Sequence, residues 1–210
     1  MVFNSDNVML RAEQFDVAGK STYFETFTPF TKKGFVRKFE DGLKIEQTFD
    51  GSVLRKVKKY DSTGNIVYSE EFNPKTNIRE ILSVKPTMMK KEVYHGEELL
   101  HKTERYIDGS MYEEVFFPKT GLRYFQMGER IRNKNGELTR RTKLSNLEVK
   151  NSDGTRFTIE RRNQAGTTYY QKRVFDVNGE EIKNLERNLN GEQVRNVIKA
   201  LRSGKLKNIK

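Results

Sequence analysis

Tyr60-Asp61-Ser62-Thr63-Gly64-Asn65-Ile66-Val67-Tyr68-Ser69-Glu70-Glu71-Phe72-Asn73-Pro74 is the stretch that decides the fold. Asp61 and Gly64 are turn chemistry. Glycine takes a positive φ without a Cβ clash, and an Asx side chain can bond its own backbone. Tyr68, Glu70 and Phe72 then fall at every second position, so they share one face of a strand. Pro74 cannot donate to a ladder, which places it at the strand's end.

The line recurs on both sides. Upstream it reads Phe15-Asp16-x-x-Gly19, then Tyr23-x-Glu25-x-Phe27-x-Pro29. Downstream it reads Tyr106-Ile107-Asp108-Gly109, then Tyr112-x-Glu114-x-Phe116-x-Pro118. Gly19, Gly64, Gly109 and Gly154 are each 45 residues apart, with Asp16, Asp61, Asp108 and Asp153 before them. Three more turn signals fall within the period. One series is Lys33-Gly34, Thr76-Asn77, Thr120-Gly121 and Ala165-Gly166; another is Asp41-Gly42, Pro86-Thr87 and Met127-Gly128. The third is Asp50-Gly51, His95-Gly96, Asn135-Gly136 and Asn178-Gly179. Four turns per period leave segments of about 6–10 residues, which is strand length. Stacked copies of the line are expected to set tyrosine near tyrosine.

The expected fold is all-β. It is an elongated antiparallel sheet of about four 45-residue units, two hairpins each, over residues 1–180, with a short C-terminal helical cap. The alternative is a four-bladed β-propeller, whose blades also hold four strands in about 40–50 residues. Inner propeller strands bury apolar side chains, and apolar residues are only 34% of this chain. A charged content of 33% argues for a thin sheet wetted on both faces. Disorder does not fit, because 14 Phe and 9 Tyr recur at fixed spacing.

Residues 181–210 form a second segment, a helix and a basic tail. Ile182, Leu185 and Leu189, then Val194, Val197, Ile198 and Leu201, keep helical spacing, so 181–203 is expected as one broken helix or two short ones. Asn190 and Gln193 resemble a capping box, and Ser203-Gly204 is the stop. The helix is expected to cap the open end of the sheet, as terminal units of repeat proteins do.

The Tyr-Asp-x-x-Gly core of Tyr60–Gly64, echoed by Phe15–Gly19 and Phe175-Asp176-Val177-Asn178-Gly179, resembles paired MORN-type repeats and the related YD-type hairpin repeats. The resemblance covers about residues 12–180; the chain has no Trp and lacks the dense glycine of typical MORN units. It implies a sheet used as a scaffold or interaction surface, in some settings beside toxins as an immunity or delivery module.

Chemistry of catalysis is sparse. No Cys is present, which removes thiol nucleophiles, disulfides and Cys-ligated zinc. His95 and His101 are the only histidines and would stand about 20 Å apart if they shared one strand. Glu70-Glu71 and Glu113-Glu114 are adjacent and point to opposite faces. Glu25, Glu70 and Glu114 could form a column across copies, the one carboxylate arrangement open to an enzyme. No P-loop, Gly-x-Ser-x-Gly or His-Glu-x-x-His occurs. The expectation is a protein that is not an enzyme and needs no cofactor or metal.

Charge is the functional clue. The net charge is +11. Residues 1–122 hold 19 Lys/Arg against 19 Asp/Glu, and residues 123–210 hold 21 against 10. The excess concentrates in 140–173, at Arg140, Arg141, Lys143, Arg156, Arg161, Arg162, Lys172 and Arg173, with Tyr169 and Tyr170 interleaved. In the fourth copy Arg161-Arg162 stand near the place of the missing Phe-x-Pro. The reading is a non-enzymatic scaffold that docks a protein partner or larger assembly, with this basic part meeting an acidic surface. The alternatives are nucleic-acid binding through 140–173, since cations neutralise phosphates and aromatics stack bases, and a toxin-associated immunity or delivery module. Unpaired sheet edges also invite homo-oligomers. No apolar run is long enough to span a membrane. The first residues carry no signal-peptide pattern, so a cytoplasmic location is expected, with delivery by another route left open.

Overall fold

The structure is a computed structural model that describes residues 1–5, 8–29, 31–132 and 138–203, and their side chains apart from those of 130–132, 138–142 and 184. Its strands form one open antiparallel sheet of 16 strands, in which each strand pairs with its neighbours in the chain. A propeller would split into separate blades, so the open sheet is the architecture. The chain divides into two compact units, Met1–Glu98 and Leu99–Lys210.

In the N-terminal unit the strands are β1 (Val2–Phe3), β2 (Met9–Phe15), β3 (Ser21–Thr28), β4 (Lys33–Glu40), β5 (Leu43–Asp50), β6 (Val53–Tyr60), β7 (Ile66–Asn73), β8 (Ile78–Lys85) and β9 (Met88–His95). The Asp-Gly signals are the hairpin loops. Gly64 has φ 87°, its N–H donates to the Asp61 carbonyl at 3.1 Å, and the Asp61 carboxylate accepts from Thr63 N and Asn65 N at 2.9 Å each. The Gly19 loop repeats this with Asp16, Ala18 and Lys20. Asp41 and Gly42, both at positive φ, make the two-residue turn between β4 and β5. The turn expected at Lys33-Gly34 lies earlier: the Lys32 N–H donates to the Pro29 carbonyl at 3.3 Å, Lys32 takes φ 52°, and Gly34 pairs with Phe27 and Phe49 inside β4.

This unit is a single layer. Of its described residues only Ala12, Ile45 and Val57 are buried, and register puts all three on one face. Both faces are otherwise mixed aromatic and charged. On one, Phe24 meets Phe35 edge-on at 6.2 Å and lies under the guanidinium groups of Arg11 and Arg37 at 5.1 and 5.2 Å. Such contacts protect apolar rings from water while leaving the charge wet.

The C-terminal unit is built from β10 (Glu98–Tyr106), β11 (Met111–Phe117), β12 (Leu122–Arg132), β13 (Leu138–Lys150), β14 (Arg156–Gln164), β15 (Thr167–Phe175), β16 (Arg187–Leu189) and α1 (Gly191–Arg202). Met127-Gly128, expected as a turn, runs on within β12; Met127 pairs with Asn146 and Gly128 with Leu144, leaving Ser145 as a bulge. The Asn135-Gly136 turn lies outside the described residues. One turn is therefore lost from the period. Gly109 and Gly154 remain 45 residues apart in sequence, but three strands rather than four separate their loops, so the Gly154 loop lies at the opposite strand ends.

A core forms here. Tyr124, Val149 and Phe157 line up in register, as do Gln126, Leu147 and Ile159. Leu122, Tyr124, Leu147, Val149, Phe157 and Ile159 pack with Val194 and Leu201 of α1. Each fully buried aliphatic side chain there contributes about 2 kcal/mol. The helix thus covers a face of β12–β14 instead of capping the sheet's end. Its capping box is as expected: Asn190 accepts from Glu192 N and Gln193 N, and Gln193 caps the Asn190 N–H. Residues 187–189 are not helical; they add to β15 as β16, and only a 3-10 turn, Lys183–Leu185, precedes them. Gly204 and the tail lie outside the described residues. Among the described residues no helix is long and apolar enough to cross a membrane.

Candidate docking cleft between helix and sheet

Within the C-terminal unit, α1 and the sheet enclose an open cleft of about 470 Å³. It forms where β11 stops and β12 continues: the last β11 pair is Met111 with Gly128, and β12 runs four residues further. Gly128 brings no side chain to the floor. Met111 and Leu144 from the sheet and Ile198 from α1 make the apolar wall, while Met127, paired with Tyr112, turns its side chain to the other face. Arg195, Lys199 and Arg202 supply the rim. Spacings of four and three residues put these cations on one helix face.

Beneath the rim lies a polar cluster. The buried Glu113 carboxylate accepts from Gln126 Nε2, from His101 Nε2 at 3.1 Å and from Arg202 Nη2 at 3.1 Å. Burial pushes the Glu113 carboxyl up, but the hydrogen bonds from His101 and Arg202 outweigh it and hold the pKa below the ordinary value. Burial pushes the Tyr124 hydroxyl up, with the Glu113 charge adding to it. Arg202 is spent on Glu113. Arg195 and Lys199 are exposed, with no carboxylate at ion-pair distance among the described residues. The sequence reading missed this site because its parts are distant in the chain; the i, i+4, i+7 cation spacing on a predicted helix was the available signal. A second hollow of about 660 Å³ at the Asp108 turn is lined by charges of both signs, among them Lys102, Glu104, Asp108 and Glu129.

The basic residues of 140–173 are divided between the two faces of the sheet, as the adjacent Arg161-Arg162 and Lys172-Arg173 pairs require. Register places Arg156, Arg162, Arg173 and Tyr169 on one side of β14–β15 and Arg161, Lys172 and Tyr170 on the other. Arg156 pairs with Glu148 at 3.3 Å and Arg161 with Glu129 at 3.0 Å. Arg162 and Arg173 both reach Glu160, at 2.5 and 2.7 Å. Lys172 is buried over the Phe157 ring at 5.0 Å, and Tyr170 packs on the core. Lys143 is exposed on β13. Arg140 and Arg141 belong to the β13 backbone, and their side chains lie outside the described residues. The repeat decays in β14 where Phe157 and Ile159 turn into the core under α1.

The Tyr-Glu-Phe line is a set of local pairs. The hydroxyls of Tyr23, Tyr68 and Tyr112 donate to Glu25, Glu70 and Glu114 on the same strand at 2.6, 2.5 and 3.3 Å. Arg79 and Arg123 add ion pairs to Glu70 and Glu114 at 3.8 and 3.4 Å. Tyr23 and Tyr68 do not stack. Their strands are four apart in the sheet order, about 19 Å at the usual strand spacing. Glu25 and Glu70 are separated likewise and form no paired acid and base. His95 ends β9 and His101 sits in β10, so they share no strand. Among the described residues no group of three or more His, Cys, Asp or Glu could hold a metal ion. Comparison with known proteins finds no matching family model and no matching curated protein.

Proposed function

We propose that this protein is a non-enzymatic β-repeat scaffold that docks a protein partner. The observation that carries the reading is the single-layer sheet of the N-terminal unit, which places aromatic and charged side chains on both faces with only three described residues buried. A layer without a core of its own presents a large, chemically mixed surface, and interface cores are rich in aromatics and arginine. The repeat's resemblance to MORN- and YD-type hairpins agrees with such a role. The basic C-terminal half adds a preference for an acidic partner.

Affinity capture by the full chain tests this. A stoichiometric protein partner is expected, and it should be lost when Phe24→Glu and Phe35→Lys spoil the aromatic patch while circular dichroism stays unchanged. Capture of no partner under any salt condition would overturn the reading. Nucleic-acid binding through 140–173 draws support from the charge excess alone. It predicts a steep fall in affinity with salt. The pairing of Arg156, Arg161, Arg162 and Arg173 with carboxylates argues against it.

A further inference from the structure

We infer that the cleft between α1 and β11–β13 is a binding site for an extended acidic peptide in which carboxylate and apolar side chains alternate. The inference rests on the docking reading and names the chemistry of one partner segment.

Three features of the cleft select this occupant. The first is charge. Arg195 and Lys199 stand on the rim without a carboxylate among the described residues, and Arg202, already held by Glu113, continues the row. The row is therefore short of anions. The second is its length. From Arg195 to Arg202 the helix rises about 10 Å, too long for one headgroup. The steps between neighbouring cations are about 5–6 Å, and carboxylates at every second residue of an extended chain recur at about 6.6 Å. The third is the wall. Met111, Leu144 and Ile198 offer apolar surface beside the cations, so the residues between the carboxylates would be apolar. Methionines suit such a surface because they adapt to different shapes.

A compact lipid-like anion could not use the length of the cation row.

The experiment uses the full chain and a fluorescein-labelled peptide, Glu-Leu-Glu-Leu-Glu-Leu, followed by fluorescence anisotropy. Saturable binding is expected, with none for the Lys-Leu counterpart. The double change Arg195→Glu and Lys199→Glu should weaken it by about tenfold or more; both residues are exposed, so the fold is retained. Met111→Ser should weaken it several-fold without altering the salt dependence. Absence of saturable binding would overturn the inference, as would binding indifferent to the double reversal. So would displacement by laurate or by a DNA duplex as effective as by unlabelled peptide. Failure here is separable from failure of the docking reading: a chain that still captures its partner after the double reversal docks through another surface.

Discussion

Arg202, in the last turn of α1, donates to the Glu113 carboxylate at 3.1 Å across 89 residues of sequence. The contact ties the C-terminal helix to β11, and Glu113 in turn takes hydrogen bonds from Gln126 and His101. A buried carboxylate is tolerable only with such partners. Glu113→Ala leaves Gln126 unanswered in the interior and is expected to cost about 2–3 kcal/mol in urea unfolding. Arg202→Met should cost less, about 1 kcal/mol, because the guanidinium is half exposed to solvent. An effect of Glu113→Ala within experimental error would show that the cluster does not hold the helix.

The same cluster predicts an acid limb. The folded-state pKa of Glu113 lies below the ordinary 4.5. Its stabilisation is therefore complete above the unfolded value and is lost as the pH falls through the folded value. Arg202→Met removes one of the groups that depress it, so acid unfolding should begin at a higher pH than in the parent chain. An identical acid midpoint would refute the coupling.

Lys172 is the opposite case. It is buried over Phe157, and burial, then the charge of Arg187, lower its pKa below the ordinary 10.5. A lysine depressed in this way destabilises the fold while it is charged, and the penalty fades as the pH rises through the folded pKa toward 10.5. Lys172→Met keeps the stem's packing and discards the buried amine. It should raise stability by about 1 kcal/mol at neutral pH, with a smaller gain in strongly alkaline buffer. A loss would mean that the amine has a favourable partner.

What the sequence made legible was whatever local chemistry dictates. Asp61 and Gly64 define a hairpin by themselves, and Asn190 with Gln193 define a helix start. Met127-Gly128 was misread because a glycine at a strand bulge has the same local signature as a glycine in a turn. That single lost turn inverts the Gly154 loop and lengthens β12 and β13. The site was hidden for a different reason. His101, Glu113, Gln126 and Arg202 meet only through sheet register and helix packing, and neither is written in short-range spacing. The basic run and its division between two faces were plain in sequence, but its pairing with Glu129, Glu148 and Glu160 is a matter of register.

The repeat's tyrosines are spectroscopic reporters of its geometry. Tyr23 is pushed up to about 12, chiefly by its hydrogen bond to Glu25. Tyr68 and Tyr112 are also pushed up to about 12, chiefly by burial and then by Glu70 and Glu114. Ultraviolet titration of tyrosinate should show these three ionising after the ordinary phenols. Glu25→Gln should shift the Tyr23 step furthest toward 10, while Glu70→Gln and Glu114→Gln should shift theirs only partly, because burial persists. Three unchanged steps would mean that the on-strand pairs do not persist in solution.

Two glycines of the same conformation separate backbone strain from packing. Gly64 has φ 87° and open space where a Cβ would stand; Gly121 has φ 67°, and its Cβ would fall 2.7 Å from Ser152 Cβ in the β13–β14 loop. Gly64→Ala should therefore cost only the left-handed backbone term, about 1–2 kcal/mol. Gly121→Ala carries that term plus a clash with a neighbouring loop, and should cost at least about 1 kcal/mol more. Ser152→Gly removes the opposing Cβ, so in the Gly121→Ala background it should recover the excess but not the backbone term. Equal costs for the two alanines, or no recovery in the double variant, would show that the β11–β12 turn and the Gly154 loop do not touch as the sheet's inverted third period requires.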